Sequence, residues 1–388
     1  MTDLKNFDLF NPSSEHQLLR KSIRQFVEKE IEPQALEFDQ KESFNLPLFK
    51  KLGPLGLLAL TSGEGMGMDA VASVIVHEEM SYSDPGFCLA YLAHSVLCVH
   101  NISQNATKEQ KQMWIPKLSS GEWIGAMAMS EPDIGTDILA MSTTSYKEKD
   151  HYILNGRKMW ITNGTISDDG DLVDGCLVYT RKKDSRDITL FFVEKGFPGF
   201  SAGQKIKGKT GMRASNTSEL VFDNCKVPSS HLIGEEGKAL YPMMKNLEIE
   251  RLALAAMSLG IGRRAFNEMN KYASQRQAFG QKIRQFGQIQ KHLAQSYAEL
   301  NACRSYIYLT ALKFQFGKTQ QRLNSDSSKL LASQIGKNIA DRAIQVLGAY
   351  GYVGEYTVER LWRDAKLLEI GGGTVEALEK NITKELSL

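Results

Sequence analysis

The chain has 388 residues, 42% of them apolar and 24% charged, the balance of a globular protein with room for two or three domains or one large multilayer fold. A net charge of +2 gives no basic field for nucleic acid or an acidic membrane surface, and no apolar run approaches the roughly 20 residues of a membrane span. Five scattered cysteines without CxxC spacing point to reduced thiols, and seven histidines show no metal-ligand spacing.

The start, MTDLKNFDLF, lacks signal- and transit-peptide patterns, and Leu386-Ser387-Leu388 lacks the basic residue of a peroxisomal signal. The expected compartment is a bacterial-type cytoplasm, or the mitochondrial matrix for a eukaryotic chain already processed. Residues 1–120 read as an N-terminal helical domain. Ser14-x-x-Gln17 and Thr107-x-x-Gln110 are capping-box patterns, and Leu18, Leu19, Ile23, Phe26, Val27 and Ile31 recur at helical spacing. Gly63-Glu-Gly-Met-Gly67 lacks a preceding strand and reads as an interhelix loop.

Residues 121–235 switch to strand grammar and form a middle β domain. A short apolar strand over 123–129 runs into Ser130-Glu-Pro-Asp-Ile-Gly-Thr136-Asp, dense in hydroxyls and turn formers. Asn155-Gly156 signals a hairpin turn. The second strand ends on Trp160-Ile161-Thr162, where alternation puts an aromatic plane and a hydroxyl on one face. That face either stacks a flat ring or is an ordinary packed sheet edge. Further strands are expected over 173–180, 188–193 and 218–222. Lys182, Lys183, Ser185 and Arg186 read as a solvated basic turn. Residues 236–388 are helical again, with stretches at 238–274, 288–316, 325–347 and 374–386 that make a four-helix bundle. No low-complexity linker appears, so the three regions are expected to pack as one unit.

Glu250 interrupts an apolar stripe. Met243, Leu247, Ala253, Leu254 and Met257 share its helix face. Glu248, by contrast, has Lys245 and Arg251 three residues away. An apolar surrounding raises a carboxyl pKa toward neutrality, as a base for a weakly acidic C–H requires. A structural ion pair with an arginine on another helix explains the residue equally well.

AMSEPDIGTD followed by LNGRKMWITNG resembles the flavin-binding segment of the acyl-CoA dehydrogenase family, and the similarity continues in order from about Ser14 to Leu378. The resemblance implies an α+β, mostly α fold, with a β-barrel-like middle domain between helical halves. It implies FAD, an acyl-CoA substrate, α,β-dehydrogenation with hydride passing to the flavin, a homotetramer, and electron-transfer flavoprotein as acceptor. Most of the family carries its catalytic Glu just before Gly-Thr near the C-terminus, where Gly372 stands here. The isovaleryl and long-chain types carry it in a Leu-Glu-Arg context, which matches Ile249-Glu250-Arg251. The resemblance therefore favours Glu250 as base, an isovaleryl-like member, and a short or branched acyl group, with the Gly372 backbone N–H polarising the thioester. It implies cofactor contacts from Met129, Ser130, Thr136, Trp160, Ile161, Thr162, Gln345, Gly348, Ala349, Thr374 and Glu376. Arg276 and Phe279 would reach a neighbouring subunit's flavin. Substrate contacts would come from Thr136, Ser185, Arg186, Tyr241, Glu248, Arg251, Gly372 and Gly373. Tyr91-Leu-Ala-His94-Ser95 resembles the helix lining the acyl end, core packing being an equal reading. Gly287, Ala349, Val375 and Ala377 depart from the family pattern on the adenine side. A same-fold oxidase, a dehydrogenase acting on a carrier-bound thioester, and a non-catalytic acyl-CoA binder are the alternatives.

Overall fold

The computed structural model describes residues 7–63, 68–318 and 321–387, so the first six residues, most of the Gly63–Gly67 loop and Leu388 lie outside the described residues. The helices that open the chain are α1 (Ser14–Phe26), α2 (Glu32–Lys41), α3 (Leu46–Lys50), α4 (Ala70–Ser83), α5 (Pro85–Leu92), α6 (Asn101–Asn105) and α7 (Lys108–Ser119). Thr107 and Gln110 form the expected reciprocal cap on α7. At α1 the cap lies one residue earlier than expected: the Ser13 hydroxyl accepts the His16 N–H. Ser13 and Ser14 are adjacent hydroxyls, and the spacing to Gln17 selected the wrong one.

A π-helical segment, Ala93–His100, joins α5 and α6 into one rod. Pro85–Asn105 is nevertheless long and apolar enough to cross a membrane, its polar residues interrupting the apolar run in the sequence. Its most apolar 18-residue stretch is 94% buried inside the protein, as a core helix. Its polar groups are spent internally: Tyr91 donates to Leu57 O, Ser95 to Tyr91 O, and His94 bridges Leu118 O and Gly125 N. Core packing therefore accounts for Tyr91, His94 and Ser95.

The middle region holds β1 (Gly125–Ala128), β2 (Thr144–Glu148), β3 (His151–Thr162), β4 (Gly175–Lys182), β5 (Ile188–Glu194), β6 (Phe200–Lys205), β7 (Thr217–Pro228) and β8 (Leu232–Ile233). They form one sheet in the order β6-β7-β3-β2-β4-β5-β8, with β1 parallel to β4. Its ends stay apart, so among the described residues the ladder is not a closed barrel. The expected turn at Asn155-Gly156 is absent. Both residues lie inside β3, and the β2–β3 reversal falls at Lys149 and Asp150. The glycine answers a different need: a Cβ there would stand 2.6 Å from Thr143 Cα, and the β3–β7 register shifts at this point.

The C-terminal helices are α8 (Leu240–Gln275), α9 (Gly287–Lys313), α10 (Arg322–Leu347), α11 (Thr357–Leu368) and α12 (Val375–Leu386). A two-stranded ribbon, β9 (Gln277–Ala278) and β10 (Gln281–Lys282), separates α8 from α9. The four expected stretches are present, and α11 is a fifth helix that the sequence reading missed. Its burial at Val358, Leu361, Ala365 and Leu368 follows helical spacing, but its five charged residues masked the short stripe. Helix α8 is buried almost continuously from Asn246 to Gly262 and packs on α4 and α10.

Buried charges join the first and last regions. Glu78 of α4 takes Arg20 at 2.9 Å, Arg263 at 2.7 Å and Arg304 at 3.0 Å, and the Tyr308 hydroxyl donates to it at 2.5 Å. Glu79 joins Arg20, Arg24 and Arg263. Helices α1, α4, α8 and α9 thus share one ionic core.

Candidate active site

Glu250 is 6% exposed, and its Oε2 is buried without a hydrogen-bond partner. The ion pair that would make it structural is absent among the described residues. Burial pushes the carboxyl up to about 7, against the opposing pull of Arg251 and Lys329. Arg251 is committed elsewhere, to Asp326 at 2.6 Å and to Gly372 O at 3.0 Å. Lys329 donates to Gly373 O at 2.5 Å. Two buried cations on α8 and α10 therefore clamp the Gly371–Gly373 turn between α11 and α12, facing Glu250.

That turn needs glycine. Gly372 has φ +67°, and a Cβ there would lie 2.3 Å from Leu254 Cδ1 and 3.2 Å from Glu250 Oε1. A side chain leaving Gly372 and the Glu250 carboxylate thus point at the same place. Among the described residues no acceptor takes the Gly372 N–H. Glu248 is a different case. It pairs with Lys245 at 3.0 Å, as its spacing suggests, but not with Arg251.

The Ser130 segment is held by a second buried pair. Lys158 and Glu131 meet at 2.9 Å, both side chains almost fully buried. Glu131 also accepts from Ser142 N and Oγ and from Thr143 N, and Lys158 donates to Met129 O. Burial opposes ionisation of Glu131, but Lys158 and these donors outweigh it and hold the carboxyl near 2. Met159 N donates to Ser130 O at 2.9 Å, which lays the loop along β3. The next residue, Trp160, takes φ +66° in a bulge and is 57% exposed. Simple strand alternation therefore fails at Trp160. Ile161 returns to the core and Thr162 is half-buried. Among the described residues the hydroxyls of Ser130, Thr136 and Thr162 have no partner. An open aromatic plane beside uncommitted hydroxyls fits a flat, hydrogen-bonding ring better than a packed edge.

The two parts adjoin at Tyr179 of β4. Its phenol takes a bond from Asn101 at 2.9 Å; burial raises its pKa, and the Glu250 charge adds to the rise. Tyr179 and Met243 share one apolar cluster, with Met127 and Met129 packed against it.

Other expected site residues lie apart. Ser185 and Arg186 occupy the β4–β5 turn, where Ser185 Oγ accepts the Asp187 N–H and Arg186 is exposed. Tyr241 is exposed on the first turn of α8. Thr374 caps α12, and Glu376 is exposed in its first turn. Arg276 immediately precedes β9 and Phe279 lies in the β9–β10 turn, while Gln345 is in the last turn of α10 and Gly348 and Ala349 follow it, all exposed. None of these bonds to the Ser130–Trp160 platform within the described residues. Sequence reasoning missed Glu131, Lys158, Asp326 and Lys329. Each reads as an ordinary surface charge until its burial is known.

The acyl-CoA dehydrogenase N-terminal, middle and C-terminal domain models match residues 13–122, 126–225 and 238–387. The chain belongs to the acyl-CoA dehydrogenase family. It is 40% identical to mitochondrial isovaleryl-CoA dehydrogenase of Pongo abelii over 375 residues, covering 94% of this chain and 86% of the relative. Butyryl-CoA dehydrogenase of Megasphaera elsdenii superposes with a TM-score of 0.91 at 32% identity, covering 100% of both chains. Glutaryl-CoA dehydrogenase of Mycobacterium smegmatis in complex with FADH2 gives 0.90 at 27%, over 97% of this chain and 95% of its own. This acyl-CoA dehydrogenase is an FAD-dependent oxidoreductase that acts on an acyl-CoA thioester.

Proposed function

We propose that this enzyme dehydrogenates a short or branched acyl-CoA, with Glu250 as the base that removes the α-proton. The observation that carries the reading is Glu250 itself: buried, unpaired, its carboxyl pushed up to about 7 by burial, and aimed where a Gly372 side chain would be. A base for a C–H works best when its pKa lies near working pH. The free Gly372 N–H serves as donor to the thioester oxygen and steadies the charge that grows there. Arg251 and Lys329 fix that turn and keep Glu250 from rising further. Ser130, Thr136, Trp160 and Thr162 would hold FAD, which when bound supplies the hydride acceptor. Ser185, Arg186, Tyr241 and Glu248 would follow the coenzyme A portion.

Electron-transfer flavoprotein is the proposed acceptor and a homotetramer the proposed assembly. Phe279, 96% exposed beside Arg276, supports a completed site across subunits. The deciding experiment is anaerobic flavin reduction by isovaleryl-CoA in wild type and Glu250→Gln. A loss of ~10²–10⁴-fold is expected. Near wild-type reduction by the variant would remove Glu250 from the role, and faster turnover of palmitoyl-CoA than isovaleryl-CoA would remove the short-chain preference.

A further inference from the structure

One turn before Glu250, Asn246 presents a problem that the reaction as described does not use. It is 3% exposed, and both its Oδ1 and its Nδ2 lack a hydrogen-bond partner. A buried amide with neither donor nor acceptor satisfied is rare and calls for a partner. Asn246 lines a cavity of about 180 Å³ with Tyr241, Glu248, Ile249, His100 and Phe316. Three polar neighbours in that cavity are committed elsewhere: Glu248 to Lys245, His100 to Thr61 O, and Asn105 to Asn101.

We infer that Asn246 binds the amide of the pantetheine arm nearest the sulfur, a specificity contact that rests on the thioester reading above. The spacing carries it. Four residues of helix rise about 6 Å, and positions four apart share a face. Between the acyl α-carbon and that amide nitrogen lie five single bonds, through the carbonyl carbon, the sulfur and two methylenes. Three extended bonds of a chain span about 3.6 Å, so five reach roughly 6 Å. With the α-carbon at Glu250, the amide N–H comes level with Asn246. Oδ1 accepts that N–H, and Nδ2 donates to a carbonyl of the same arm. An apolar residue would serve equally well for a purely hydrophobic tunnel, and the site holds an amide instead.

The pantetheine arm is common to coenzyme A and to carrier proteins, so the test isolates the amide. Holoenzyme is assayed on three isovaleryl thioesters: isovaleryl-CoA, isovaleryl-N-acetylcysteamine, which keeps the amide, and the S-butyl thioester, which lacks it. Asn246→Leu should lower kcat/KM roughly tenfold on the first two, chiefly through KM, and leave the third nearly unchanged. Affinity for an unreactive butyl-CoA thioether, measured by calorimetry, should fall by the same factor. Thermal stability should hold or rise, because two unsatisfied groups are removed. A comparable loss on all three thioesters, or unchanged thioether affinity, overturns the inference. Failure of the wild type to be reduced by isovaleryl-CoA would strike at the proposed function instead. An equal loss on isovaleryl-CoA and on a carrier-bound isovaleryl group would place the contact on the shared arm, whereas a loss on isovaleryl-N-acetylcysteamine alone counts against it.

Discussion

Below about pH 4 the Glu250 carboxyl is protonated in folded and unfolded chains alike and does not bear on stability. Between about pH 4 and 7 the unfolded chain ionises it, while burial keeps it protonated in the fold. The folded state therefore loses stability across that window, about 3 kcal/mol in all, and loses no more above it. Glu250→Gln should regain that amount at pH 8 and nothing at pH 4, as read by urea unfolding. A gain that does not depend on pH would mean that burial is not what raises the pKa. In wild type, kcat/KM should climb with pH through an apparent pKa near 7, and this limb should vanish in the variant. Lys158 is the opposite case. Lys158→Met strands a buried carboxylate at Glu131 and should cost about 3–5 kcal/mol, with faster FAD loss on dilution. The sequence distinguished Glu250 because an acid in an apolar stripe is visible as a pattern. Lys158 sits between Arg157 and Met159 in a strand whose alternation is broken by bulges, so nothing marked it as buried.

Helix periodicity survived translation into structure better than turn chemistry did. The stripe around Glu250 and the capping box before α7 were legible because both are local patterns of side chains. Asn155-Gly156 was misread because the same dipeptide serves a hairpin turn or a close approach inside a strand, and only Thr143, a residue of another segment, decides between them. Gly156→Ala should therefore destabilise the sheet by more than the usual glycine-to-alanine change in a strand, measurable as a lower Tm. The turn at Gly372 allows a sharper test. In a Glu250→Gly background, Gly372→Glu approaches the same point from the α11–α12 side, but Leu254 stands in the way of its Cβ. Flavin reduction by acyl-CoA should return partly when Leu254→Ala is added, and not before. Full rescue without the Leu254 change would contradict the packing described around this turn.

At the level of the molecule, the three-region order was legible from local pattern, as helical spacing, then short β-rich runs between turn signals, then helical spacing again. The ionic core that fastens the regions together was not, because Arg20, Glu78, Arg263 and Arg304 are far apart in sequence and individually unremarkable. Exposed Phe279 and Tyr352 on the C-terminal region predict self-association. If Arg276 and Phe279 complete a neighbour's cofactor site, Phe279→Ala should lower FAD occupancy and oligomer size together in sedimentation. A fully flavinated monomer would separate the two.

The same ionic core sets a schedule for biosynthesis. Glu78 leaves the ribosome long before Arg263 and Arg304 exist, and at ~5–20 residues per second the delay runs to roughly 10–40 s. Until then a carboxylate destined for a dry site has only Arg20 for company. The nascent N-terminal helices therefore have reason to remain loose and exposed, a natural client for holding chaperones. A stalled chain ending before α8 should be cut readily by protease within α4, and full-length chain should not.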